Sequence, residues 1–194
     1  MMNPCLKLQK ALTLVELLVT IAFIGVISSI GLPAYRSLIN TIKVSVVTSQ
    51  LHASLLFSRA EAIKRGRSVS ICRSDNADSL SPSCAITASN PRINTGWGDG
   101  WLIYVDVDND KVYSPSDILL QAQGSLIPSL GAGSIVPVPN RNAVTFNATG
   151  QTFGTFMRFV ISRPNDDRDL SHDRFICIAS GGRARVASAI CGIA

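Results

Sequence analysis

Helical periodicity runs through the first third of the chain, and short extended runs fill the rest. From residue 12 to residue 32 the chain is apolar or small apart from Glu16, and it includes Ile21, Phe23, Ile24, Val26, Ile27 and Ile30. As a helix this stretch reaches about 32 Å, close to the roughly 30 Å hydrocarbon thickness of a bilayer. Tyr35, Leu38, Ile39, Ile42, Val46, Ala53, Leu56, Ala60 and Ile63 then recur near helical spacing, and Gly66 is a natural stop. The pattern predicts an amphipathic helix that continues past Pro33 and lays this stripe on whatever follows. Beyond Gly66, runs rich in β-branched and aromatic residues predict strands at 68–72, 101–107, 143–147, 155–162 and 174–180. A long helix followed by strands gives an α+β fold, a helix packed on an antiparallel sheet. The connections 74–97 and 126–142 are polar or rich in Pro and Gly and are expected to be mobile.

Composition changes this picture in two places. The chain has 194 residues, 46% hydrophobic and 16% charged, enough for one globular domain with an appended element. Its formal charge is +5, and without residues 1–11, which hold Lys7 and Lys10, 16 basic residues face 13 acidic ones. So mild an excess neither demands nor excludes a polyanion, and the placement of the arginines decides. Of five cysteines, Cys5 lies in residues 1–11, leaving Cys72, Cys84, Cys177 and Cys191. Four cysteines allow three pairings in an oxidising compartment. Cys72–Cys84 and Cys177–Cys191 are the expected disulfides, because each closes a short local ring. Neither spacing suits a zinc knuckle.

Residues 1–11 carry two lysines and no acid, as an export signal does, yet an ordinary secretory signal is cut after its apolar run. A plain anchor gives no reason for a carboxylate at the fifth position of that run. A charge there costs about 2.5–3.5 kcal/mol and needs a partner such as an amine on a neighbouring helix. Ala11-Leu12-Thr13-Leu14-Val15-Glu16 resembles the class III signal of type IV prepilins and pseudopilins. The resemblance implies that a prepilin peptidase cuts between Ala11 and Leu12 and that the new amino terminus at Leu12 is methylated. It also implies that Glu16 pairs with the terminal amine of an adjacent subunit during assembly. Ala11 and Leu12 depart from the glycine, and the phenylalanine or methionine, usual at these places in the family. Pro33 stands where pilins commonly carry a helix-kinking proline. The implied organisation is a cleaved leader at 1–11, a transmembrane and assembly helix at 12–32, an amphipathic helix at 33–66 and a β-rich periplasmic or extracellular part at 67–194. Such a protein sits in the inner membrane by a single pass before assembly, and then at the cell surface among the other pilins of a pilus.

The body is similar to the GspH/FimT group of minor pilins and pseudopilins. The similarity lies in residues 57–66 (FSRAEAIKRG), in 69–72, in Trp97-Gly98-Asp99-Gly100-Trp101 with Tyr104-Val105-Asp106, in Phe146-Asn147-Ala148-Thr149-Gly150, and in Gly182-Arg183-Ala184-Arg185-Val186. In an extended segment Arg183 and Arg185 project to one side, and their planar guanidinium groups match phosphate, while Gly181 and Gly182 permit close backbone approach. The FimT branch is similar in carrying a glycine-arginine-any-arginine motif associated with binding DNA during uptake. The resemblance therefore implies double-stranded DNA as a partner, bound without sequence preference and sensitive to salt, with Arg141 and Lys111 as further candidates for the patch. Set against this are two exposed arginines that merely solubilise a chain end, in a structural or priming subunit of a type II secretion system or pilus.

Other clusters read more simply as structure. Lys64, Arg65 and Arg67 complement the dipole at a helix end. Asp106-Val107-Asp108-Asn109-Asp110 with Asp117 has the alternation of a calcium loop, but Lys111 stands where an EF-hand needs glycine and Asp117 is shorter than the usual glutamate. A hairpin turn explains those residues, so no metal is expected. Trp97 and Trp101 are expected to pack in a core or turn. His52 and His172 are far apart and match no catalytic pattern, so neither an enzyme nor a cofactor is expected.

Overall fold

The computed structural model describes residues 13–90, 92, 94–152, 154, 156–162 and 173–191. Residues 1–11, the expected cut at Ala11 and Leu12, and His172 lie outside them. Two compact units divide between Ile39 and Asn40, and α1 (Leu14–Arg65) contributes to both.

In the first unit, Thr13 caps α1: its Oγ1 accepts the Glu16 N–H at 3.2 Å, which satisfies one of the unpaired donors of the first turn. Leu14, Val15, Leu17, Leu18, Ile21, Phe23, Ile24 and Ile27 are all exposed, as is Glu16. Among the described residues no helix is long and apolar enough to cross a membrane.

In the second unit, eight strands among the described residues form two antiparallel sheets. The first has the order β3 (Ile118–Gly124), β2 (Gly100–Val105), β1 (Val69–Arg73), β5 (Ala143–Phe146). The second has the order β4 (Ile135–Val138), β6 (Met157–Ile161), β7 (Arg174–Ile178), β8 (Ala184–Ala187). The expected α+β architecture is present, with two sheets in place of one. Alternation on β6 and β7 sends Met157, Phe159, Ile161, Ile176 and Ile178 into the main core with Trp97, Trp101 and Leu51. Phe175 and Cys177 face the other way and pack with Cys191.

The helical stripe read from the sequence is out of phase with the one that packs. Val44, Val47, Leu51, Leu55 and Ala62 are buried, whereas Tyr35, Leu38, Ile42, Val46, Leu56 and Ile63 are exposed. The buried face is disguised by hydroxyls. Thr48 and Ser58 donate to the carbonyls of Val44 and Ser54 at 2.6 and 2.8 Å, and Ser54 Oγ accepts the Trp101 indole N–H at 3.0 Å. Hydrogen-bonded in this way, small polar residues are buried without the cost of an unmet group.

Both expected disulfides form: Cys72–Cys84 with Cα atoms 5.6 Å apart and Cys177–Cys191 at 6.1 Å. The first tethers the 74–97 connection, expected to be mobile, to β1 at Cys84. Arg73 is only 1% exposed, and its guanidinium pairs with Asp75 at 2.8 Å while donating to the Thr87 carbonyl at 2.9 Å. A buried guanidinium needs such a cage of acceptors, so the connection is tied to β1 by both a covalent and a polar link.

Candidate nucleic-acid interface

A tight turn joins β7 to β8. Gly182 N–H donates to the Ala179 carbonyl at 2.8 Å, and Ala179 N–H to the Arg183 carbonyl at 3.1 Å. Gly182 has φ +74°, and a Cβ there would collide with the Gly150 carbonyl. Only glycine combines that conformation with that approach. The 147–151 turn it rests on organises itself: Asn147 Oδ1 accepts the N–H groups of Thr149 and Gln151 at 3.0 and 2.9 Å. Thr152 N–H then reaches the Ser180 carbonyl at 3.1 Å. The resembling segments 146–150 and 182–186 are therefore two halves of one contact.

This anchorage sets the direction of the arginines. Gly182 and Ala184 are buried, and Arg183 and Arg185 are exposed, so the two guanidinium groups leave the same side of an extended segment about 6.6 Å apart along the chain. Among the described residues neither has an ion-pair partner. Arg185 lies opposite Cys177 on β7, and Cys177 lies opposite Arg158 on β6. Residues directly opposite share a face, so Arg158, Arg185 and the Cys177–Cys191 bridge form one row across the outer side of the second sheet. Arg158 is half-buried, and its Nε has no hydrogen-bond partner.

Arg158 was not apparent from the sequence, because its adjacency arises only through the β6–β7–β8 register. Arg59 was missed similarly: its Nε, buried and unpartnered, comes 3.1 Å from where a Cβ on Gly150 would stand. The other two candidates fall elsewhere. The Arg141 guanidinium lies against Gly154, two residues beyond Thr152, and its carbonyl accepts the Trp97 indole N–H at 3.2 Å. Lys111 lies in the acidic connection between β2 and β3, where its N–H bonds Asp106.

Two of the three cations of the second basic cluster share one carboxylate. Glu61 pairs with Arg65 at 2.6 Å and Lys64 at 3.4 Å, and the Arg65 hydrogen bond holds its carboxyl below the usual range. Trp97 and Trp101 are fully buried, Trp97 edge-on to Phe159 with centroids 4.9 Å apart, so neither ring is available to stack on a base. His52 Nε2 lies 3.3 Å from the Ala184 carbonyl, which places it under β8.

The family described as type II transport protein GspH matches residues 47–182 of this chain. The chain belongs to the GspH family. GspH-family chains are minor pilins and pseudopilins, a structural family of filament subunits that assemble with other pilins and are not known as enzymes. Two crystal forms of the type IV minor pilin FimU from Pseudomonas aeruginosa, strain PAO1, share the fold. Their TM-scores are 0.53 and 0.51 at 18% identity, over 75% and 74% of this chain and 88% and 91% of theirs. No curated protein matches the chain. The GspH match ends at Gly182, one residue before Arg183, so membership of the family and the arginine ridge are separate matters.

Proposed function

We propose that this GspH-family subunit is a FimT-like minor type IV pilin that holds extracellular double-stranded DNA, without sequence preference, for uptake in natural transformation. The observation that carries the reading is the ridge itself. Arg183 and Arg185 are exposed on one side, unpaired among the described residues, and fixed by a glycine turn and a disulfide. Guanidinium groups held this way lose little freedom on meeting phosphate. Gly182 positions the backbone, Arg183 and Arg185 take the phosphates, Arg158 extends the row, and Arg141 and Lys111 are outlying cations. In this reading the leader is cut between Ala11 and Leu12 by a prepilin peptidase, Leu12 is methylated, and the apolar helix holds the subunit in the inner membrane until Glu16 meets a neighbour's terminal amine. The exposed apolar side chains from Leu14 to Ile27 support that mounting.

A structural or priming subunit of a type II secretion system or pilus is the second reading, favoured by the GspH match. The two are separated by titrating double-stranded DNA onto the full chain in nonionic detergent at several salt concentrations, beside an Arg183→Ala, Arg185→Ala variant. Binding that weakens steeply with salt and is lost in the variant supports DNA capture. Equal binding by both removes the ridge, and no binding by either at low salt supports the structural subunit.

A further inference from the structure

The connection between β2 and β3, residues 106–117, holds Asp106, Asp108, Asp110 and Asp117. Most of their oxygens are engaged within it. Asp117 accepts the Val107 and Ser114 N–H groups at 2.9 and 2.8 Å, Asp108 the Ser116 hydroxyl at 2.9 Å, and Asp110 the Val112 N–H at 2.7 Å. Such bonds shape a turn and ask for no ligand. Asp106 is different. It is 3% exposed; Oδ2 accepts the Lys111 N–H at 3.0 Å, and Oδ1 is buried with no hydrogen-bond partner. An ionised oxygen left in that condition is costly.

The Asp106 carboxyl stands beside more negative charge. Carboxylate oxygens of Asp106, Asp108 and Asp117 lie within 4.8 Å of one another. The Tyr104 side chain is buried beside this loop, with Ser70 opposite it on β1. A buried carboxylate with an unmet oxygen beside two other carboxylates is the arrangement that a hard cation resolves.

We propose that the 106–117 connection binds one calcium ion through the carboxylates of Asp106, Asp108 and Asp117. A twelve-residue calcium loop draws ligands from its first, third, fifth, seventh, ninth and twelfth residues, the seventh through its carbonyl. Asp106, Asp108, Asp110, Val112, Ser114 and Asp117 occupy those places. Lys111 stands sixth, where glycine makes the sharp turn of an EF-hand, and Asp117 stands twelfth, shorter than the usual bidentate glutamate. Lys111 has φ 66°, the conformation that glycine supplies there, so the backbone makes the turn without it. Calcium suits the site better than magnesium, which demands a near-ideal octahedron and keeps most of its water. The ion ties the start of β3, the edge strand of its sheet, to the end of β2. It is independent of DNA binding.

The test uses the full chain in nonionic detergent, stripped with EDTA and titrated with calcium chloride by calorimetry, with Tm recorded in EDTA and in calcium. One ion per chain is expected, with Kd on the order of 10⁻⁴ to 10⁻³ M, as for extracellular loops. Near-saturating calcium should raise Tm by on the order of 5 °C. Asp106→Asn keeps an acceptor for Lys111 and removes the orphaned charge, so it should raise Tm in EDTA and abolish the rise with calcium; a merely structural carboxylate would move both values the same way. Asp108→Asn, at an exposed position, serves if Asp106→Asn fails to fold, and should weaken binding by about tenfold or more. A chain giving neither heat nor a rise in Tm, or an Asp108→Asn variant that binds as the parent does, overturns the proposal.

Discussion

In the connection between β2 and β3, most carboxylate oxygens accept an N–H or a hydroxyl from the same twelve residues. On β8 the Arg183 and Arg185 guanidinium groups have no ion pair among the described residues, although the backbone carrying them is held by a glycine turn and a disulfide. Both regions are exposed and rich in one sign of charge. They differ in what the charge is bound to. Carboxylates engaged with their own backbone build a loop, as Glu61 does for a helix end through Lys64 and Arg65. Arginines on a fixed ridge with no such partner are available to a second molecule. Charge count alone would rank these clusters together, and hydrogen bonding separates them.

Removing what holds the ridge should have the largest effect. Replacing Cys177 and Cys191 together by alanine should cost about 3 kcal/mol, read by urea unfolding under oxidising conditions, and should weaken DNA binding because the row on the second sheet is no longer stapled. Next comes the self-organised loop. Asp117→Ala leaves the Val107 and Ser114 N–H groups without their acceptor, and should lower stability by about 1–3 kcal/mol in EDTA; unchanged unfolding would show that the loop is not built by its carboxylates. The smallest effect belongs to the edge of the ridge. Arg158→Gln should weaken DNA binding by about threefold and reduce the salt slope by no more than about 1, with Tm unchanged. A larger loss than from Arg185→Ala would move the centre of the surface to β6.

Local features were the legible ones. Short cysteine rings identified both disulfides, and alternation along 182–185 gave the exposure of Arg183 and Arg185. Strands 69–73 and 100–105 lie close to where β-branched and aromatic runs predicted them. Three strands were missed, each for a physical reason. Ile118–Gly124 contains two glutamines and borders an edge. Ile135–Val138 carries Pro137, whose missing N–H argues against a strand unless it lies at an edge, as β4 does. Ala184–Ala187 holds the arginine that signals a surface. The phase of the buried helical face was hidden by Thr48, Ser54 and Ser58, which are polar in the sequence and satisfied in the fold. Arg158 becomes a neighbour of Arg185 only through pairings distant in sequence, while Lys111, placed with the ridge on charge alone, lies in the acidic loop.

The most direct test of the ridge is the dependence of DNA affinity on salt. Full chain in nonionic detergent, in EDTA, is titrated with a short duplex across a series of sodium chloride concentrations, and the slope of log K against log salt is compared with that of Arg183→Ala, Arg185→Ala. Two phosphate contacts should disappear from the slope, a change of about 1.8, and affinity at low salt should fall by about tenfold or more, with Tm unaltered. Identical slopes for the two proteins would contradict the account, because the exposed, unpaired arginines would then touch no phosphate.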